Sequence, residues 1–134
     1  VGESINPAID MGQIEGGFIQ GMGWLTTEEL VWGQDGRLQT NGGASYKIPA
    51  VGDTPTQFNV ALLKHSKNHE ATIYHSKAVG EPPLMHGISV WSALRDAIWA
   101  AGDEQTNPQL NTPATPERVL WALEAVKASI VESV

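Results

Sequence analysis

The sequence predicts a single α+β domain, on three observations. Apolar residues recur at helical spacing in three separated segments, a tight-turn dipeptide sits between two short β-suited runs, and one later stretch alternates apolar with polar residues. At 134 residues the chain is long enough for one domain with a modest core. A hydrophobic share of 41% against 17% charged residues belongs to a folded chain rather than a disordered one.

The first helix is expected over residues 7–24, where Ile14, Phe18, Met22 and Leu25 form one apolar face. Gly12, Gly16, Gly17, Gly21 and Gly23 interrupt it, each costing roughly 1 kcal/mol against alanine. So many glycines imply that another backbone, or a cofactor, comes close. Residues 27–32 and 37–41 flank Asp35-Gly36 and predict a β-hairpin with a type I′ turn. Residues 42–55, rich in Gly and Pro, read as an irregular loop. Phe58, Val60 and Leu62 alternate with Gln57 and Asn59, the pattern of a half-buried strand over residues 57–63. Residues 64–70 read as a polar loop, and residues 71–74 as a further short strand.

From Pro82 to about residue 101 the helical pattern is apolar on nearly every side, with Arg95 and Asp96 its only charges, so a buried helix ending at Gly102 is expected. Residues 102–114 read as a polar linker. Thr115 then caps a last helix with Pro116 in its first position, and Val119, Leu123, Val126 and Ile130 form its apolar stripe.

Composition narrows the function classes. The net charge of −7, with its basic residues scattered, argues against nucleic acid or an anionic membrane surface as partner. No run approaches the ~20 apolar residues of a membrane span, and no basic segment with an apolar h-region opens the chain, so a cytoplasmic protein is expected. Cysteine is absent, which excludes disulfides and any thiolate-ligated iron–sulfur cluster within this chain. The opening Val1 in place of Met reads as a piece of a longer protein. Five tryptophans call for burial, internally or against a partner.

Lys77-Ala78-Val79-Gly80-Glu81-Pro82-Pro83-Leu84 is the most informative stretch. Two prolines preset the first helical turn, and the residue before a proline is pushed away from helical geometry. Glu81 is therefore expected just outside the helix, on a rigid turn that suits general-base work or ligation. Gly80 lets the backbone approach a bulky group. The bland alternative is a helix start at which Glu81 only complements the dipole. His65 and His69 have a ligand-like spacing, but they fall in strand and loop and lack further ligands, so no direct metal ligand is expected. His86 is expected to make an interior hydrogen bond. Gly16-Gly17-Phe18-Ile19-Gln20-Gly21 does not follow a strand and fails as a dinucleotide fingerprint.

Four stretches in order resemble the molybdenum-binding part of the xanthine dehydrogenase family, near its C-terminus. They are Asn6-Pro7-Ala8-Ile9-Asp10-Met11-Gly12-Gln13-Ile14-Glu15-Gly16-Gly17-Phe18, Ser45-Tyr46-Lys47-Ile48-Pro49-Ala50, the Glu81 stretch, and Thr112-Pro113-Ala114-Thr115-Pro116-Glu117. Each alone is a weak signal, but the ordered set spans nearly the whole chain. The resemblance implies that residues 1–134 form a C-terminal subdomain of a molybdopterin-binding domain. It implies Glu81 as general base beside the metal, with Gln13, Val79 and Gly80 close to the cofactor. Asp10 and Glu15, which flank Gln13, are read as structural.

The same resemblance implies hydroxylation of a purine such as hypoxanthine or xanthine with water-derived oxygen. The remainder of the molybdenum-binding subunit would complete the site, and 2Fe–2S clusters and FAD would lie on other domains or subunits. Most cofactor and substrate contacts would lie outside this chain, which alone is expected to be inactive and to self-associate through apolar surface. Two alternatives stand beside this reading. One is an aldehyde oxidase-type hydroxylase with different substrate contacts. The other is a non-enzymatic interaction module that keeps the scaffold.

Overall fold

The structure, a computed structural model, describes residues 1–65 and 67–132. It is helix-rich: α1 (Pro7–Thr26), α2 (Pro82–His86), α3 (Ile88–Ala100) and α4 (Pro116–Glu132), with 3₁₀ turns at Val51–Asp53 and Ile73–His75. Among the described residues the only β pairing consists of two isolated bridges, Gly2 with Ser76 and Trp32 with Leu38.

The helix starts follow the caps. Asn6 accepts from Ile9 N at 3.3 Å ahead of Pro7, and Thr115 Oγ1 accepts from Arg118 N at 3.4 Å ahead of Pro116. Asp10 accepts a hydrogen bond from Ser4 Oγ, which suits its structural reading. The buried hydrophobic core consists of Ile98, Leu110, Ala114, Ala122 and Val126, with Trp91, Leu94, Val119 and Leu123 packed against it. Residues 102–114 contribute directly to that packing through Leu110 and Ala114. Gly102 follows α3 without a left-handed φ; its role is contact, since a Cβ there would lie 3.0 Å from Val126 Cβ. The side chain of Ile130, expected in the α4 stripe, lies outside the described residues, as does Ser66 in the polar loop.

Four expectations need correction. The hairpin is reduced to the Trp32–Leu38 bridge and the bonds Gly33 N→Arg37 O and Gln39 N→Val31 O, both 2.8 Å. A type I′ turn needs positive φ at both central residues, whereas Gly36 has φ 76° and Asp35 is not left-handed. No third strand covers the ribbon among the described residues, and a lone pair of strands is marginal in water. Residues 57–63 do alternate in burial, with Phe58, Val60 and Leu62 half-buried, but they join no ladder. The alternation comes from lying against α1, where the Phe58 and Phe18 rings sit 5.5 Å apart. In the segment expected as a strand at 71–74, Ala71 and Thr72 are irregular and Ile73 and Tyr74 belong to the 3₁₀ turn.

The long helix from Pro82 is broken at Gly87 into α2 and α3. The cause is a backbone crossing. A Cβ on Gly87 would lie 2.5 Å from Gly21 C, and one on Gly21 would lie 2.2 Å from Leu84 O. Nor is this region buried throughout: Ile88 is 59% exposed and Trp99 is exposed, as are Trp24, Trp32 and Trp121 elsewhere in the chain. An apolar pattern reports what a surface needs, whether or not its partner belongs to the same segment of chain.

Candidate functional site

The Glu81 turn starts from a clamp. Residues 1–3 pair with the chain just ahead of the turn: Glu3 N donates to His75 O at 3.1 Å and Lys77 N to Val1 O at 2.8 Å. Tyr74 and His75, at φ 54° and 53°, are consecutive left-handed non-glycine residues, a conformation costing on the order of 1–3 kcal/mol each. Gly80 follows at φ 66°, where glycine is the natural occupant.

Glu81 stands at the N-cap of α2, as the two prolines require, but with φ −103° and ψ −1° rather than an extended backbone. Its carbonyl accepts from Leu84 N at 3.0 Å, which starts the helix. Its side chain makes no cap hydrogen bond and is exposed, and the two ion pairs found among the described residues, Arg37–Asp35 and Arg118–Glu29, do not involve it. Glu81 thus starts the five-residue α2 as its N-cap residue without a side-chain cap hydrogen bond.

α1 supplies the opposing wall. Gly17 and Gly21, a turn apart, take up α2: a Cβ on Gly17 would lie 3.1 Å from Pro83 Cβ. Gln13, one turn upstream on the same stripe, is exposed. Ile14 and Phe18 instead face an open cleft of about 610 Å³, lined also by Phe58, Val60, Val79, Pro83 and His86. The cleft thus brings Val79 to α1. Gln13, Gly80 and Glu81 are exposed and do not line it. His86, expected in the interior, is exposed at the cleft, because only the other side of the short α2 packs on α1.

The glycines separate into two groups. Gly17, Gly21 and Gly23 meet other chain segments, Gly23 fitting under Pro49. Gly12 and Gly16 have nothing within 4 Å of a would-be Cβ, and Gly80 meets only Pro82 Cδ at 3.5 Å. Beside Gln13 and at Gly80 the backbone is therefore open to a flat, polar-edged group. A pterin fits that description, and the Gln13 amide can both donate to it and accept from it.

Several contacts were not legible in advance. The Ser45–Ala50 motif ties down the end of α1: Tyr46 Oη donates to Glu28 at 2.6 Å, and Thr27 Oγ1 donates to Lys47 O at 2.8 Å. The Glu28 hydrogen bond raises the Tyr46 pKa above its usual value. Arg118 reaches from α4 to Glu29 at 2.5 Å and to Pro113 O at 2.8 Å. Asn68, in the loop read as merely polar, is buried. The glycine inside the second helical pattern was the one available signal for the break at 87. Among the described residues no group of three or more His, Asp or Glu could hold a metal ion, and no helix is long and apolar enough to cross a membrane.

Comparison with known proteins places the chain in a family. A family model for the molybdopterin cofactor-binding domain matches residues 1–55. Xanthine dehydrogenase/oxidase of Gallus gallus is 55% identical over 122 residues, covering 89% of this chain and 9% of the relative. Xanthine dehydrogenase of Oryza sativa subsp. japonica is 53% identical over 132 residues, covering 91% of this chain and 10% of the relative. Aldehyde oxidase 1 of Macaca fascicularis is 52% identical over 127 residues, covering 92% and 9% respectively. The chain thus spans only about a tenth of the length of the curated relatives it matches. With identity above 50% across nearly all of its length, the chain belongs to the xanthine dehydrogenase family, as a piece of that family's molybdenum-binding part.

Proposed function

We propose that the chain forms one wall of the active site of a molybdenum hydroxylase, with Glu81 as its general base. The observation that carries this is the Glu81 carboxylate itself, exposed, with no side-chain cap hydrogen bond and in neither ion pair found among the described residues. The molybdenum cofactor, when bound, supplies the two-electron oxidation that accompanies transfer of a water-derived oxygen to the substrate carbon. Glu81 accepts the proton that this step releases, its Oε atoms being free to do so. Gln13 hydrogen-bonds the pterin side of the cofactor through its amide. Gly80 lets the backbone come close without a Cβ, and Val79 fixes that approach against α1. None of these residues ligates the metal directly.

The substrate of this reading is a purine such as hypoxanthine or xanthine. The identity to the macaque aldehyde oxidase supports a second reading, an aldehyde substrate, because nothing in this chain separates the two. The open Glu81 weighs against a non-enzymatic module, in which that carboxylate would have no task. Residues 1–134 form a single C-terminal subdomain of the molybdopterin-binding domain, with 2Fe–2S clusters and FAD on other domains or subunits of a cytoplasmic enzyme. The exposed Trp24, Trp32, Ile88 and Trp121 are the surface that the remainder of the subunit covers, and on which the isolated chain self-associates without turning over substrate.

In the full-length enzyme Glu81→Gln keeps its molybdenum while kcat falls about 10²–10⁴-fold, the usual range for a general base. Turnover near wild type at full molybdenum content would remove the assignment.

A further inference from the structure

Asn68 is the one buried polar side chain found among the described residues, at 7% exposure. Both ends of its carboxamide are engaged. Nδ2 donates to Thr72 Oγ1 at 2.8 Å, and Oδ1 accepts from Glu70 N at 3.0 Å. Thr72 passes the connection on, its hydroxyl donating to Ser76 O at 2.7 Å. Between Thr72 and Ser76 lie the left-handed Tyr74 and His75. Residues 1–3 close the clamp from the other side: a Cβ on Gly2 would lie 3.2 Å from Asn68 Cβ and 2.4 Å from His75 O. From Lys77, bonded to Val1 O, the chain runs through Ala78, Val79 and Gly80 to Glu81.

Two adjacent left-handed residues with side chains do not hold that shape by themselves; the surroundings must impose it. Tyr74 and His75 are both exposed, so packing does not impose it. The hydrogen bonds around Asn68 do so together with the backbone bonds His75 N→Thr72 O, Ser76 N→Ile73 O and Glu3 N→His75 O. Released, the pair relaxes to φ < 0 and redirects the chain that enters the Glu81 turn. We propose that Asn68 is a positioning residue for Glu81, holding through Thr72 the strained turn from which the Val79–Gly80–Glu81 segment departs. This rests on the reading of Glu81 as the base.

The test uses the full-length enzyme. Asn68→Ala should lower kcat per bound molybdenum roughly 10–100-fold with KM within about twofold, as displacement of a base by about an ångström does. In the cofactor-free protein, amide exchange at His75, Ser76 and Lys77, whose N–H groups are bonded to Thr72 O, Ile73 O and Val1 O, should speed up more than about tenfold while α4 keeps its protection. Tyr74→Gly in the same background should recover part of the lost kcat, because glycine takes the left-handed conformation without a Cβ penalty and the 78% exposed Tyr74 gives up little packing, while His75 stays strained. Unchanged exchange at these three amides would overturn the proposal, and so would equal acceleration in α4. If Asn68→Ala does not accumulate, Thr72→Val breaks the same relay without opening a cavity and is judged by the same criteria. Should Glu81→Gln itself leave turnover intact, the base reading falls alone, and exchange in the cofactor-free protein still decides whether Asn68 holds the turn.

Discussion

The α3–α4 half and the α1–α2 half of this molecule are held by different forces. Every buried hydrophobic side chain of the core, from Ile98 to Val126, belongs to α3, α4 and the segment between them. The other half carries Gln13, Val79, Gly80 and Glu81, and its buried residues are Gly21, Gly23, Pro83, Gly87 and Asn68. It is fixed by backbone crossing backbone and by hydrogen bonds, while its apolar side chains stay half-open. A region built this way fixes distances tightly but secures little apolar burial of its own. The half with the core is a scaffold, and the half with the candidate site buries little apolar surface of its own.

The largest effect should come from emptying the scaffold. Ile98→Ala, at a side chain only 4% exposed, should cost about 2–5 kcal/mol in urea unfolding of this chain. Ile88→Ala, ten residues earlier on the same helix but 59% exposed, should fall within about 0.5 kcal/mol of wild type. Equal costs at the two positions would break the comparison, because they would show the exposed face already covered by self-association.

Next come the glycines, where the sign of the effect is informative. Gly21→Ala drives a Cβ to 2.2 Å from the Leu84 carbonyl oxygen, which is backbone and cannot swing away, and should destabilise by about 1–3 kcal/mol. Gly12→Ala meets nothing within 4 Å and should stabilise the chain by up to about 1 kcal/mol through helix propensity. Thermal unfolding of the two variants separates them, and destabilisation by both would mean that the face around Gly12 is not open.

The smallest effect is a pH dependence in the scaffold. Backbone N–H groups of Thr106 and Gln105 donate to Asp103, chiefly that of Thr106, and hold its pKa below the ordinary carboxylate range. A lowered folded pKa stabilises above the unfolded value of about 3.9, and the stabilisation is lost as pH falls through the folded pKa. The stability gap between wild type and Asp103→Asn should therefore be constant from neutral pH down to about 5 and close below about 4. A gap that persists unchanged at lower pH would mean that the charge contributes nothing.

The two halves also differ in how far the sequence discloses them. α1, α3 and α4 follow from apolar spacing and from Asn6-Pro7 and Thr115-Pro116, since caps and helical periodicity are local properties. The hairpin at 27–41 and the strand at 57–63 did not form ladders, because pairing depends on a neighbour that local pattern cannot supply. At the site, Pro82-Pro83 announced the Glu81 turn, and the excess of glycines in α1 announced a close approach. Which glycines meet α2 and which stay open is a matter of helix rotation, settled only once α2 crosses at Gly21 and Gly87. Asn68 carried no signal at all: an asparagine among Lys67, His69 and Glu70 reads as solvated loop, and its burial depends on Gly2 from the far end of the chain.

The most direct test of the central claim is the molybdenum-to-protein ratio of the native assembly captured through this chain. About one molybdenum per copy, together with a much larger co-purified mass, is the predicted result and makes the chain one wall of a hydroxylase site. Absence of molybdenum, with the chain recovered alone at its own mass, would contradict the account and leave Glu81 as the start of a helix.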